Sequence, residues 1–264
     1  MAQPVTPYND TEEKKTQVAR MFDNIAPRYD FLNHLFSLGI DHLWRRKAVM
    51  TLARHFAQKN SNAPQRVLDV ATGTGDFAVS AAKRLPAAQI VGYDLSEGML
   101  EVGRVKMTKL GLSNRVQMQQ GDAEHMPFES ASFDAITVAF GIRNFQDLRA
   151  GLGEMHRVLT PGGLGLILEF SKPTAFPIKQ VFHLYFRFIM PTIGRWVSKD
   201  AAAYTYLPES VAAFPEGQAM HAIMSGVGFD SCRIHRLTGG IASLYEVRKA
   251  DAQKADARKA SPAE

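Results

Sequence analysis

Val67-Leu68-Asp69-Val70-Ala71-Thr72-Gly73-Thr74-Gly75-Asp76 ends a short apolar run in a Gly-Thr-Gly turn, and Ile90-Val91-Gly92-Tyr93-Asp94 ends a second run in an aspartate. Residues of these types in this order can hold a nucleoside. Glycines lack a β-carbon, so Gly73 and Gly75 allow a tight loop, with Thr74 between them, whose bare backbone can lie against a ligand. Asp94, at the end of the neighbouring run, can accept hydrogen bonds from both hydroxyls of a ribose. Gly73-x-Gly75-x-x-Ala78 with an acid about twenty residues on also satisfies the dinucleotide fingerprint. The spacing leaves a dinucleotide and another adenosine-bearing ligand equally open.

The remainder of the chain separates them. Gly121-Asp122-Ala123 follows a third apolar run and places a carboxylate where an open α/β sheet binds its ligand. Asp122 can accept from an adenine amino group while the Ala123 N–H donates to the ring. No second glycine fingerprint follows a later strand, which a nicotinamide-dependent oxidoreductase would need.

The elements that must position these residues alternate regularly. Strands are predicted at 66–71, 90–94, 115–120, 133–140 and 162–170, with helices at 76–84, 97–109 and 147–159 between them. Such alternation implies parallel pairing in a doubly wound α/β sheet. Pro161-Gly162-Gly163 is read as the break between the last of these helices and its strand. A helix at 215–225 leads to two strands, 230–237 and 241–248, joined at Thr238-Gly239-Gly240 as an antiparallel hairpin. Ahead of the sheet, residues 11–59 read as helices: Val18, Met21, Phe22 and Ile25 recur at helical spacing and Pro27 stops that helix. A single domain over 1–250 is expected, with a helical segment at 11–59, a core at 60–250 interrupted by an insertion at about 174–214, and a polar, disordered tail at 251–264.

Composition bounds the partners. The 264 residues are 45% hydrophobic, enough for a sizeable core, and the single cysteine, Cys232, fits a reducing compartment. No signal peptide or long apolar run is visible, so a cytoplasmic chain is expected. The net charge of +5 is mild and its Lys and Arg are scattered, which argues against a nucleic-acid partner.

These residues resemble the S-adenosylmethionine-dependent methyltransferases of the Rossmann-like class. The likeness narrows with Phe22-Asp23-Asn24-Ile25-Ala26-Pro27-Arg28-Tyr29-Asp30, Phe140-Gly141-Ile142-Arg143-Asn144, Leu168-Glu169-Phe170-Ser171-Lys172-Pro173 and Tyr204-x-Tyr206-Leu207-Pro208. Together they resemble the ubiquinone/menaquinone C-methyltransferase family. The resemblance implies a seven-stranded, mostly parallel sheet with one antiparallel strand and an N-terminal helical lid. It implies S-adenosyl-L-methionine as methyl donor, with Gly73, Thr74, Gly75, Asp94, Asp122 and Ala123 at the cofactor. It further implies a demethylated polyprenyl quinol as acceptor, demethylmenaquinol first and the ubiquinone-pathway benzoquinol as an alternative. Many relatives carry Ser where this chain has Ala139, so one hydroxyl near the cofactor is missing here.

Methylating a ring carbon requires an electron-rich ring, and loss of a neighbouring phenol proton supplies it. Arg143 is expected to stabilise the phenolate and Asn144 to orient a water or the hydroxyl; the plainer alternative has Arg143 pairing with Asp147. Tyr29, Asp30, Asn33 and His34 form a candidate lid, with Tyr29 at the substrate and Tyr29 or His34 as base, although a solvated His34 is preferred. Tyr206, beside Tyr204, is assigned to the acceptor pocket. Asp69 is expected to tie down the glycine loop rather than hold the methionine ammonium. Glu169 is undecided between a substrate carboxylate and a structural acid. Lys179, His183 and Arg187 form one basic stripe on the apolar segment 176–197, read as a helix covering the sheet or resting on a membrane surface. Peripheral contact with the inner membrane follows from the implied substrate, and a homo-oligomer is compatible with the chain. The rival classes are an RNA methyltransferase and a non-catalytic adenosine-binding protein.

Overall fold

Unbroken apolar runs suit strands covered on both faces. In the computed structural model, which describes residues 5–8, 11–59, 65–185, 188 and 202–251, Val67, Leu68, Val70 and Leu164 to Leu168 sit in the middle of one sheet. Its strands are β1 (Arg66–Val70), β2 (Gln89–Asp94), β3 (Val116–Gln120), β4 (Phe133–Ala139), β5 (Leu159–Phe170), β6 (Ser231–Leu237) and β7 (Ala242–Arg248). They lie in the order β3-β2-β1-β4-β5-β7-β6. All pairings are parallel except those of β7, which runs antiparallel to both β5 and β6. The expected hairpin is present, and its second strand is the one inserted beside β5.

The order reverses at β1, which pairs with β2 on one side and β4 on the other. Connections leave in opposite directions there, so a crevice opens above the carboxyl ends of β1 and β4. Helices α3 (Asp41–Lys59) and α4 (Asp76–Arg84) cover one face, burying Leu52, Phe56, Phe77 and Ala81. On the other face α6 (Leu148–Val158) and α9 (Gln218–Gly226) bury Leu152, Met155, Met220 and Met224. Helix α5 (Glu97–Lys109) begins at Ser96, whose hydroxyl caps it by accepting from the Met99 N–H.

The N-terminal helix α1 (Lys14–Ile25) does not join either layer. Val18, Met21 and Ile25 form a separate cluster with Met99 of α5 and Ala203 and Tyr206 of α8 (Ala202–Ala213). This helix thus bridges the crevice. Pro27 starts a short 3-10 turn at Ala26–Arg28 that leads straight into α2 (Tyr29–Phe36).

Two expectations need correction. Pro161-Gly162-Gly163 does not separate helix from strand: β5 already begins at Leu159, opposite Phe133, and the three residues bulge before Leu164 pairs with Ala135. Gly162 adopts φ +70°, which lets the bulge turn back into the ladder. The described part of the segment 176–197 does not pack as a covering helix: α7 (Ile178–Leu184) buries none of its residues. Arg187 and most of 186–201 lie outside the described residues, as do 252–264, where the tail was expected.

His55, buried on α3, carries a testable consequence. Its Nδ1 lies 3.1 Å from Arg248 and its Nε2 has no partner among the described residues. Burial, aided by the Arg248 charge, pushes its pKa from 6.5 down to about 4. The unfolded chain therefore binds the extra proton between these values, and stability falls as pH drops through that window. The loss approaches about 3 kcal/mol by the linkage relation. Chemical denaturation of wild type and His55→Gln across pH 4 to 7 checks this: the variant should lose most of that pH dependence.

Candidate active site

Asp94 ends β2 at the crevice, and its carboxylate is held from two sides. Oδ2 accepts from the Gly73 N–H at 2.7 Å and Oδ1 from the Ser96 N–H at 2.9 Å. Burial raises its pKa while these amides oppose the shift. Gly73 adopts φ +56°, so the glycine loop turns its amide onto the acid. Asp69, at β1, ties the loop below: it accepts from Thr72 and Thr137 hydroxyls, each at 2.6 Å. Burial lifts its pKa to about 6. That is the loop-tying arrangement rather than contact with a ligand's ammonium.

A cleft runs from this loop over the ends of β2, β3 and β4. Gly73, Asp94, Asp122, Ala123, Ala139 and Asn144 all line it. Its roof is α1, through Lys15, Val18, Ala19 and Phe22. Asp122 Oδ1 accepts from the Glu124 N–H at 2.8 Å, and Oδ2 lies 3.4 Å from Lys15 Nζ. The cleft has apolar walls at Val18, Leu95 and Met99, and two carboxylates in its lining, Asp94 at the end of β2 and Asp122 after β3. These residues fit an adenosine-bearing donor.

Two loop residues do not face this cleft. Gly75 adopts φ +83° at the start of α4, and a β-carbon there would meet Met107 Cε at 2.6 Å. Its bareness serves packing against α5. Thr74 turns its hydroxyl toward the lid, donating to Asp30 Oδ1 at 2.5 Å and accepting from Lys106 Nζ at 3.0 Å. Lys106 also reaches Asp30 Oδ2 at 2.6 Å and Asp76 Oδ1 at 2.7 Å. One ammonium thus joins α2, the glycine loop and α4. His34, expected in solvent or as a base, belongs to the same network: Nδ1 is 3.1 Å from Asp41 and Nε2 is 3.5 Å from Asp76, and its ring stacks on His42. It lines neither the cleft nor the cavity described next.

Lys106→Met should leave Asp30 without the cation it shares with Asp76, which keeps Arg45 at 3.4 Å. With Lys106 only 19% exposed, we expect a loss of about 2 kcal/mol in stability. The acceptor KM should rise more than kcat falls, because α2 carries Tyr29 and Asn33. Thermal denaturation and steady-state kinetics read both.

A second, larger space of about 410 Å³ adjoins the cleft across Phe22, Tyr29 and Phe140, which line both. It is strongly apolar, with Trp44, Phe170, Ile178 and Leu207 in its walls. Its polar lining includes Arg143 and Tyr206. Arg143 Nη1 pairs with Glu169 Oε1 at 3.0 Å and also donates to the Phe140 carbonyl. Glu169 is wholly buried, and it accepts from the Phe170 N–H at 2.8 Å. It is therefore the structural partner of Arg143. Asp147, the alternative partner, instead caps α6 by accepting from the Arg149 and Ala150 N–H groups.

Three buried polar atoms here have no partner among the described residues: Arg143 Nε, Tyr206 OH and Asn144 Oδ1. Such atoms are costly unless a ligand or water meets them. Arg143 and Tyr206 belong to the apolar cavity, whereas Asn144 lines the cleft. Tyr29 stands at the junction, its pKa raised to about 12 by removal from water, and Tyr206 is raised equally for the same reason. Both hydroxyls therefore keep their protons near neutrality.

A nucleoside cleft meeting an apolar cavity with free donors narrows the comparison with known proteins. Residues 10–249 match the model of the ubiE/COQ5 methyltransferase family. The chain belongs to that family. Demethylmenaquinone methyltransferase of Bacteroides fragilis is 49% identical over 245 residues, covering 93% of this chain and 97% of that one. Ubiquinone/menaquinone biosynthesis C-methyltransferase UbiE of Geotalea daltonii is 48% identical over 239 residues, covering 90% and 98%. Among solved structures, a putative S-adenosyl-L-methionine-dependent methyltransferase of Methanococcus maripaludis superposes with a TM-score of 0.55 at 18% identity, covering 95% and 98%. That likeness concerns the fold.

For this ubiE/COQ5 chain, sequence reasoning expected an N-terminal helical lid but did not name Lys15, Val18 and Ala19 at the cleft, and it passed over Lys106. Lys15 and Phe22 sit far from the glycine loop in sequence; the amphipathic pattern of α1 and the resemblance showed that a face would close on something, not which residues would line the cleft. Tyr204 lies in α8, but its side chain is outside the described residues.

Proposed function

We propose that this chain transfers the methyl group of S-adenosyl-L-methionine to a ring carbon of a demethylated polyprenyl quinol, with demethylmenaquinol as the acceptor. The observation that carries the reading is the pair of unpartnered donors, Arg143 Nε and Tyr206 OH, in an apolar cavity that meets the nucleoside cleft at Tyr29. A quinol brings an apolar tail and oxygens that need donors, and the cavity offers both kinds of surface. The named activities of the relatives at 48–49% identity support the same acceptor class.

The donor supplies an already activated methyl group on a sulfonium, so no metal is required for its transfer. The chain's own residues orient and polarise the acceptor. Asp94 and Asp122 hold the nucleoside end, α1 closes over it, and the apolar walls keep water from the ring. Arg143 stabilises the phenolate whose charge activates the neighbouring carbon, and Glu169 fixes the guanidinium in place. Tyr29 and Tyr206 donate hydrogen bonds to ring oxygens. Asn144, on the cleft side, orients a water or the acceptor hydroxyl with its free Oδ1.

Among the described residues no helix is long and apolar enough to cross a membrane. A polyprenyl tail resides in a lipid bilayer, so the acceptor reaches the cavity from a membrane surface that the protein contacts peripherally. The decisive assay supplies S-adenosyl-L-methionine with a demethylated naphthoquinol or a benzoquinol and locates the new methyl by mass and NMR. Carbon methylation of the naphthoquinol is expected. Methyl on oxygen, or no uptake of the donor by calorimetry, would overturn the reading.

A further inference from the structure

Resting on the reaction just proposed, we infer that Lys14 is a positioning residue. It carries closure of α1 over the donor to the turn that presents Arg143 and Asn144 to the acceptor. Its Nζ donates to the Arg143 carbonyl at 3.1 Å and to the Phe145 carbonyl at 2.9 Å. These carbonyls flank Asn144, so one ammonium grips the backbone on both sides of the residue whose buried Oδ1 has no partner among the described residues. The place is unfavourable for a second cation. Burial and the Arg143 guanidinium pull the Lys14 pKa from 10.5 down to about 8, and Glu124 opposes them. A lysine in open solvent would feel none of these, and the two carbonyls with the Glu124 charge hold it there.

The helix and the turn are both tied to the donor site. Val18, Ala19 and Phe22 of α1 roof the cleft, so a donor beneath them bears on the helix directly. At the far end of α1, Asp23 Oδ1 accepts from the Ser96 hydroxyl at 2.6 Å and the Gly98 N–H at 2.9 Å, two to four residues past Asp94. At the near end Lys15 Nζ lies 3.4 Å from Asp122 Oδ2. The turn is held from the loop that carries Asp122: buried Glu124 accepts from the Gln146 N–H at 2.6 Å and the Asp147 N–H at 3.0 Å. The stretch from Arg143 to Asp147 thus hangs between Glu124 on one side and Lys14 on the other. A donor that settles α1 settles Arg143 and Asn144 with it, and the acceptor binds more tightly once the donor is in place.

The test is hydrogen exchange of the full chain with and without S-adenosylhomocysteine, followed at α1 and at residues 141–147. In wild type the ligand should slow exchange about tenfold in both segments. Lys14 does not line the cleft. Lys14→Met should therefore bind the ligand within about threefold of wild type by calorimetry and still protect α1, but lose the protection at 141–147. Lys14→Arg can again donate to two carbonyls and should restore most of it. With saturating donor, kcat/KM of Lys14→Met for the acceptor should fall about tenfold, while the donor KM stays within about threefold. Protection of wild type at α1 alone, or full protection of Lys14→Met at 141–147, would overturn the coupling. So would a Lys14→Met variant whose exchange at 141–147 quickens equally with and without ligand, the mark of a merely structural contact. Exchange is read without the acceptor, so a failure to methylate the quinol would count against the proposed reaction and leave this result standing.

Discussion

Arg143→Lys is expected to lower kcat by about 10²–10³, the range seen when one preorganised donor to a developing oxyanion is removed. The guanidinium uses one nitrogen for Glu169 and the Phe140 carbonyl and leaves Nε unpaired. A lysine can keep the attraction to Glu169, but a single ammonium cannot serve that carboxylate and the acceptor oxygen from two fixed directions. Donor affinity should hardly move, because Arg143 lines the apolar cavity and not the nucleoside cleft. Single-turnover kinetics with saturating donor and acceptor isolate the effect. A rate within a few-fold of wild type would confine Arg143 to its structural pairing.

Asp94→Ala should weaken donor binding by about 10² or more. Hydrogen bonds to a charged acceptor contribute about 1.5–3 kcal/mol each, and a ribose offers two. The substitution also releases the Gly73 and Ser96 amides that now meet the carboxylate at 2.7 and 2.9 Å. The loop would then lose the contact that presents its backbone to the cleft. Asp94→Asn keeps the shape but turns one acceptor into a donor, so an intermediate loss of about tenfold is expected. Titration calorimetry with S-adenosyl-L-methionine measures all three proteins. An unchanged dissociation constant for Asp94→Ala would remove the acid from the cofactor site.

Both outcomes concern residues that the sequence singles out, yet the structure assigns their neighbours differently. Val67 to Val70 and Leu164 to Leu168 announce buried strands because every residue in them is apolar or small, apart from Asp69. The glycine loop and Asp94 are legible because a short-range pattern encodes a short-range geometry. The same logic misleads at Gly75, whose missing β-carbon makes room for Met107, and at Thr74, whose hydroxyl meets Asp30 on a helix 44 residues earlier. Helix α8, inside the expected insertion, is hidden because Pro208 stands within it and proline is a poor helix former.

From the sequence alone came the wound sheet with its reversed strand, the nucleoside loop and the resemblance to a quinol-methylating family. Each depends on hydrophobic period or on residues within about one βαβ unit, where chain connectivity already dictates geometry. Only the tertiary structure decided that Glu169 holds Arg143, that Lys106 ties the lid to the loop, and that α1 roofs the cleft. Ion pairs and surface patches join residues tens to hundreds of positions apart, and their strength depends on burial and direction. Neither quantity exists until the chain has folded.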